Sequence, residues 1–90
     1  MVIARMSGGF QKLTENKDEV SLEAGTVKAC IEKLEQIYPG VKGAFCDEDG
    51  QVSGHVAIYI NGDNIDEKKG LESPLKDGDE VDFMSGFAGG

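Results

Sequence analysis

Cysteine and histidine are scarce. The 90-residue chain has two cysteines, Cys30 and Cys46, and one histidine, His55. That is too few for a four-ligand structural zinc site or an all-thiolate iron–sulfur cluster. At most one disulfide is possible. Cys30 falls on the apolar face of an expected helix, where a thiol behaves as a small hydrophobe, so reduced thiols and a cytoplasmic setting are the expectation. No stretch approaches the roughly 20 apolar residues of a membrane helix. Met1-Val2-Ile3-Ala4-Arg5 lacks the charged-then-apolar layout of a secretory signal. Basic charge is also short: nine Lys and Arg stand against 17 Asp and Glu, a formal net charge of −8. Such a surface repels nucleic acid and anionic membrane. It suits solubility, and it suits a basic protein partner. What remains is a 39% hydrophobic chain, enough for one small domain with a modest core.

Taken in order, Val2 to Met6 reads as a strand with Val2, Ala4 and Met6 on one face. The paired glycines in Ser7-Gly8-Gly9-Phe10-Gln11-Lys12 place a turn next. Glu19 to Ala24 alternates, with Val20, Leu22 and Ala24 inward, as a half-buried antiparallel strand does. The two strands are expected to pair as a hairpin. Gly25-Thr26 opens a helix, with the Thr26 hydroxyl as its cap. Val27, Cys30, Ile31, Leu34, Ile37 and Tyr38 recur at three- and four-residue spacing and form its core-facing stripe. Pro39-Gly40 stops it. Val41 to Gly54 reads as an irregular loop. Val56 to Ile60 is strongly strand-like and runs into Asn61-Gly62, a tight-turn signal. Asp63-Asn64-Ile65 follows as a short return strand, then a polar connector over Asp66–Gly70. Leu71 and Leu75 tuck under the sheet. Lys76-Asp77-Gly78-Asp79 makes a turn, and Glu80 to Met84 is the last strand, with Val81 and Phe83 on one face and Asp82 and Met84 on the other. One amphipathic helix over one face of a mixed sheet is an α+β arrangement, with the first and last strands side by side in the middle.

Several apparent motifs dissolve on inspection. Gly8-Gly9 lacks the strand–loop–helix order and the lysine-serine of a phosphate loop. Asp47-Glu48-Asp49 lacks the distant bidentate glutamate of a calcium-binding EF-hand. His55 has no acidic or nucleophilic neighbour at a telling spacing and reads as a strand-end histidine. With no nucleophile–base pair, metal cluster or matched carboxylates, the chain does not read as an independent enzyme. The distinctive stretch is the end, Phe87-Ala88-Gly89-Gly90. Two glycines leave no side chain near the terminal carboxylate and tolerate backbone angles closed to other residues. Ser85 to Gly90 would span about 20 Å when extended, at roughly 3.3–3.6 Å per residue. Residues 1–84 are therefore expected as the domain, and 85–90 as a flexible tail.

Four features resemble the ThiS/MoaD family of sulfur-carrier proteins, which share the ubiquitin-like β-grasp fold. They are Gly25-Thr26-Val27 opening the helix, Ile58-Tyr59-Ile60-Asn61-Gly62, the turn Leu75-x-Asp77-Gly78-Asp79-Glu80-Val81, and the Ala88-Gly89-Gly90 end. They cover nearly the whole length in the family's order. The resemblance implies a four- to five-stranded mixed sheet on one main helix. It also implies that a separate ubiquitin-activating-like enzyme adenylates Gly90 with ATP, the chain itself holding no cofactor. A sulfur donor then converts Gly90 to a thiocarboxylate, and an acceptor enzyme removes the sulfur. Gly89, Ala88 and Phe87 would thread the partner's cleft, with Phe83, Asp79, Glu80 and Asp82 as candidate docking residues. Molybdopterin-synthase small subunits commonly carry a Pro-Pro pair where this chain has Met84-Ser85-Gly86. The chain is also long for a thiamin-pathway carrier. It is more similar to carriers that feed cysteine, homocysteine or methionine synthesis. A modifier conjugated to target lysines through the same end shares every one of these features. A plain β-grasp interaction domain, for which the tail means nothing, is the third reading.

Overall fold

In a computed structural model, residues 1–85 are described here. They form β1 (Val2–Met6), β2 (Glu19–Leu22), α1 (Val27–Ile37), α2 (Val41–Phe45), β3 (Val56–Ile60), β4 (Asp63–Asn64) and β5 (Glu80–Ser85), with short 3-10 turns between them. The five strands make one sheet in the order β2-β1-β5-β3-β4. β1 and β2 are the expected hairpin. β1 runs parallel to β5, and β3 runs antiparallel to β5 on its other side. The last strand is therefore central. It also extends to Ser85, one residue beyond the alternation read from the sequence.

The core lies between the sheet and the two helices. Val2, Ala4 and Met6 of β1, Val81 and Phe83 of β5, and Val56, Ile58 and Ile60 of β3 all point into it. The period-two pattern of these strands puts that whole set on one face. Opposite them, α1 contributes Val27, Cys30, Ile31 and Leu34. Its first turn is closed as expected, with the Ala29 amide donating to the Thr26 hydroxyl at 3.1 Å. Ser73 to Leu75 pins the same end: the Val27 amide donates to the Ser73 carbonyl and the Leu75 amide to the Gly25 carbonyl. Leu75 is buried as expected; Leu71 packs against the core only in part. Among the described residues, every buried side-chain nitrogen and oxygen has a partner.

Four expectations are corrected. The helix stripe does not include Ile37, which is 53% exposed. Tyr38, four residues after Leu34 and also expected on the stripe, takes the inward position. The strand expected to reach Ala24 ends at Leu22, and Ile65 opens a 3-10 turn instead of continuing β4. The larger correction is at Val41–Phe45, which is a helix and not part of a loop. A five-residue helix has no independent stability. This one is held by burying Val41 and Phe45 completely. It is capped by α1: one carboxylate oxygen of Glu35 accepts from the Gly40 amide at 3.1 Å and the Lys42 amide at 2.9 Å. Negative charge belongs at a helix amino terminus, where amides lack intrahelical partners.

Candidate functional site: the strand that leads to the glycines

The site is built from β5 outward. Met6 pairs with Phe83 on one side, and Val56 pairs with Ser85 on the other. The Ser7 amide also donates to the Phe83 carbonyl at 3.1 Å. The backbone is thus held from both flanks as far as Phe83, and from the β3 flank to Ser85, the last described residue. Below it, three phenylalanines form a column. Phe45 stacks on Phe83 with ring centroids 4.6 Å apart and planes at 4°. Phe10 meets Phe45 edge-on at 4.9 Å. Offset and edge-on aromatic pairs add stability beyond the area they bury. Each ring comes from a different segment, so the column ties the β1–β2 connection, α2 and β5 together.

The start of β5 is held differently. One oxygen of Asp79 accepts from the Asn61 side-chain amide at 3.0 Å, and the other accepts from the Lys76 amide at 2.8 Å. Asn61 in turn accepts from the Glu80 amide through its side-chain oxygen at 3.0 Å, and its own amide donates to the Glu80 carbonyl at 2.9 Å. The Lys76 amide, and after it the Asn61 side chain, hold the Asp79 carboxyl below its ordinary value, because both bonds favour the charged form. The Asn-Gly and Asp-Gly-Asp-Glu turns, 18 residues apart along the chain, are two halves of one brace.

The face of the sheet away from the helices is open. Asp82 and Met84 lie on it between Arg5 of β1 and Ala57 and Tyr59 of β3. Met84 is 40% exposed. Arg5 reaches sideways along this face, with Nη2 3.1 Å from Glu19 and Nε 3.2 Å from Glu80. Ala57, Tyr59 and Met84 therefore make a small half-exposed apolar group beside Asp82, while Ile3 stands apart from it next to Glu80 and Arg5.

The candidate residues separate on this map. Phe83 is not a docking residue: it is fully buried, because alternation sends it inward with Val81. Asp79 is engaged in the brace through both carboxylate oxygens. Glu80 and Asp82 stand on the open face, Glu80 already paired with Arg5. Phe87, Ala88, Gly89 and Gly90 lie outside the described residues. Sequence reasoning missed Phe45, whose signal was the apolar pair Val41 and Phe45 at helical spacing behind Pro39-Gly40. It placed Met84 opposite Phe83 but missed Arg5 and Tyr59 as its companions on the open face. It also missed Ser53, whose hydroxyl lies 2.8 Å from His55 Nδ1, a contact between residues two apart on the surface.

The remaining polar clusters are structural. One oxygen of Asp47 accepts from the amides of Asp49 and Gln51, closing the acidic turn on itself. Among the described residues no group of three or more His, Cys, Asp or Glu is placed to hold a metal ion. None of their helices is long and apolar enough to cross a membrane. Burial pushes the Cys30 thiol up to about 12, so at neutral pH it is a protonated core group. Both cysteines are free.

A central terminal strand, one main covering helix and a five-stranded mixed sheet define a ubiquitin-like β-grasp domain. The chain belongs to the ThiS family, whose model matches residues 5–90. It is 32% identical over 79 residues to the sulfur carrier protein CysO of Mycobacterium tuberculosis, an alignment covering 86% of this chain and 85% of that one. It is 37% identical over 65 residues to small archaeal modifier protein 3 of Haloferax volcanii, covering 72% and 70% of the two chains. In three dimensions it superposes on a chain of the Amycolatopsis orientalis BexX/CysO complex with a TM-score of 0.91, 24% identity and full coverage of both chains.

Proposed function

We propose that the protein is a sulfur carrier, loaded and emptied at Gly90 by other proteins. The observation that carries this reading is the position of β5: the strand running toward Gly89-Gly90 is the central one, paired with β1 as far as Phe83 and with β3 as far as Ser85. A carboxylate resists nucleophiles because its charge repels them and oxide is a poor leaving group. An adenylating enzyme of the ubiquitin-activating type uses ATP to form the acyl-adenylate on Gly90. Sulfide or a protein persulfide then displaces AMP, leaving a thiocarboxylate. An acceptor enzyme takes the sulfur, for cysteine, homocysteine or methionine synthesis or for molybdopterin or thiamin synthesis. Gly89 leaves the cleft unobstructed, with Ala88 and Phe87 following it in. The carrier holds no catalytic residue in this scheme; it supplies one reactive group and a docking face. On that face Met84 and Tyr59 offer apolar contact, and Asp82 and Glu80 meet a basic rim, which raises association rate more than affinity.

The test is intact mass after incubation with a cognate adenylating enzyme, ATP and a sulfur donor. The expected gain is that of one oxygen exchanged for sulfur. An unchanged mass with several such enzymes would sink the reading. Conjugation to target lysines through the same end is the second reading, favoured by the 37% identity to an archaeal modifier protein. Ladders of tagged protein that disappear on deleting Gly90 are its signature.

A further inference from the structure

We infer that Asn61-Gly62 is a latent deamidation site whose reaction is held off by the Asp79 brace. This does not rest on the sulfur-carrier reading, and either can fail alone. An asparagine followed by glycine is the pair in which ring closure is least hindered, because the attacking nitrogen carries no neighbouring side chain. In the reaction the Gly62 backbone nitrogen bonds to Cγ of Asn61 and the Cγ–Nδ2 bond breaks. Nδ2 departs as ammonia, carrying off the Gly62 amide proton. Water then opens the succinimide at one of its two carbonyls, leaving aspartate or an isoaspartyl linkage at position 61. Water is the only co-reactant.

The geometry opposes the first step. The Asn61 side chain is tied at both ends, its Nδ2 donating to Asp79 at 3.0 Å and its oxygen accepting from the Glu80 amide at 3.0 Å. Swinging Cγ toward the Gly62 nitrogen breaks both bonds. Asn61 and Gly62 also both hold positive φ, 50° and 93°, the backbone of a tight hairpin turn. Departing from it disturbs the Tyr59–Asn64 and Ile60–Asp63 pairing. Yet Asn61 and Gly62 are exposed to water, so any local opening that frees the turn from β5 permits the chemistry. The product matters to the strand. A carboxylate at 61 would confront Asp79 where a donor had been, replacing attraction by like-charge repulsion. Conversion would loosen the start of the strand that leads to the glycines.

The experiment is peptide mass mapping of residue 61 during mildly alkaline incubation of the native chain, the urea-unfolded chain and Asp79→Ala. Melting curves at the assay temperature confirm which samples are folded. The native chain is expected to convert more slowly than the unfolded one. Folded Asp79→Ala is expected to convert faster than wild type by about tenfold or more, the scale set by losing a hydrogen bond to a charged acceptor. Native conversion as fast as unfolded, or a folded Asp79→Ala converting at the wild-type rate, overturns the inference. Should Asp79→Ala not fold, wild type is followed through urea concentrations below its unfolding transition. A rise in conversion ahead of that transition supports local gating; a rate that only tracks global unfolding contradicts it.

Discussion

The two ends of β5 are secured by opposite means. At its start, Asn61, Asp79 and Glu80 make a lattice of polar contacts at the surface. Toward its finish, Phe83 is clamped in an aromatic column with Phe45 and Phe10, beneath ladder bonds to β1 and β3. Polar bonds at an exposed turn contribute little net stability, since water offers the same partners in the unfolded chain. Buried rings contribute far more, since nothing in the unfolded chain replaces their packing. The comparison teaches that the end nearer the glycines is the strongly held one, which suits the carrier role proposed above.

The contrast can be broken at its strong side first. Phe45→Ala removes the middle ring of the column and leaves a cavity beneath β5. A loss of about 3–5 kcal/mol is expected from denaturant melts, a large share of the roughly 5–15 kcal/mol a domain has. Phe45→Leu, which keeps most of the volume, should lose much less. If Phe45→Ala melted like wild type, the column would not be what fixes the strand.

The brace should respond more weakly, and to pH. Its carboxyl is depressed below the ordinary 3.8, so its contribution is complete above that pH and fades as pH falls through the folded-state value. Asp79→Asn should therefore lower stability at pH 7 and narrow its gap to wild type at acid pH. A gap that widened on acidification would reverse the sign assigned to Asp79. Thr26→Ala, which strips the cap from α1, should cost about 1 kcal/mol, readable in the same melts. Smallest of all, Asp82→Lys should shift stability by no more than about 0.5 kcal/mol while slowing adenylation by the activating enzyme. A large stability change without a rate effect would move Asp82 from the docking face into the structural set.

These differences also explain what could be read before the fold was known. The polar end was legible because Asn61-Gly62 and Asp77-Gly78-Asp79 are local turn signals that need no partner to be recognised. What joined them into one brace was tertiary and invisible from spacing. The strands and α1 were legible because each carries its own period, and the centrality of β5 followed from their order. The aromatic end was not, because Phe45 sits on a helix too short to announce itself and is held by burial and by Glu35. Ile37 was misassigned because Ile37 and Tyr38 both stand at helical spacing from Leu34, and only Tyr38 is turned to the core. On the open face, Arg5 and Tyr59 came into view only through cross-strand register.

Intact mass, recorded on the full chain and on a chain lacking Gly90 after the same loading reaction, tests the central claim most directly. The account predicts an oxygen-to-sulfur gain for the full chain, none for the shortened one, and superimposable melting curves for the two. Sulfur gained without Gly90, or a shortened chain that melts markedly lower, would contradict a reactive end carried by a self-sufficient body.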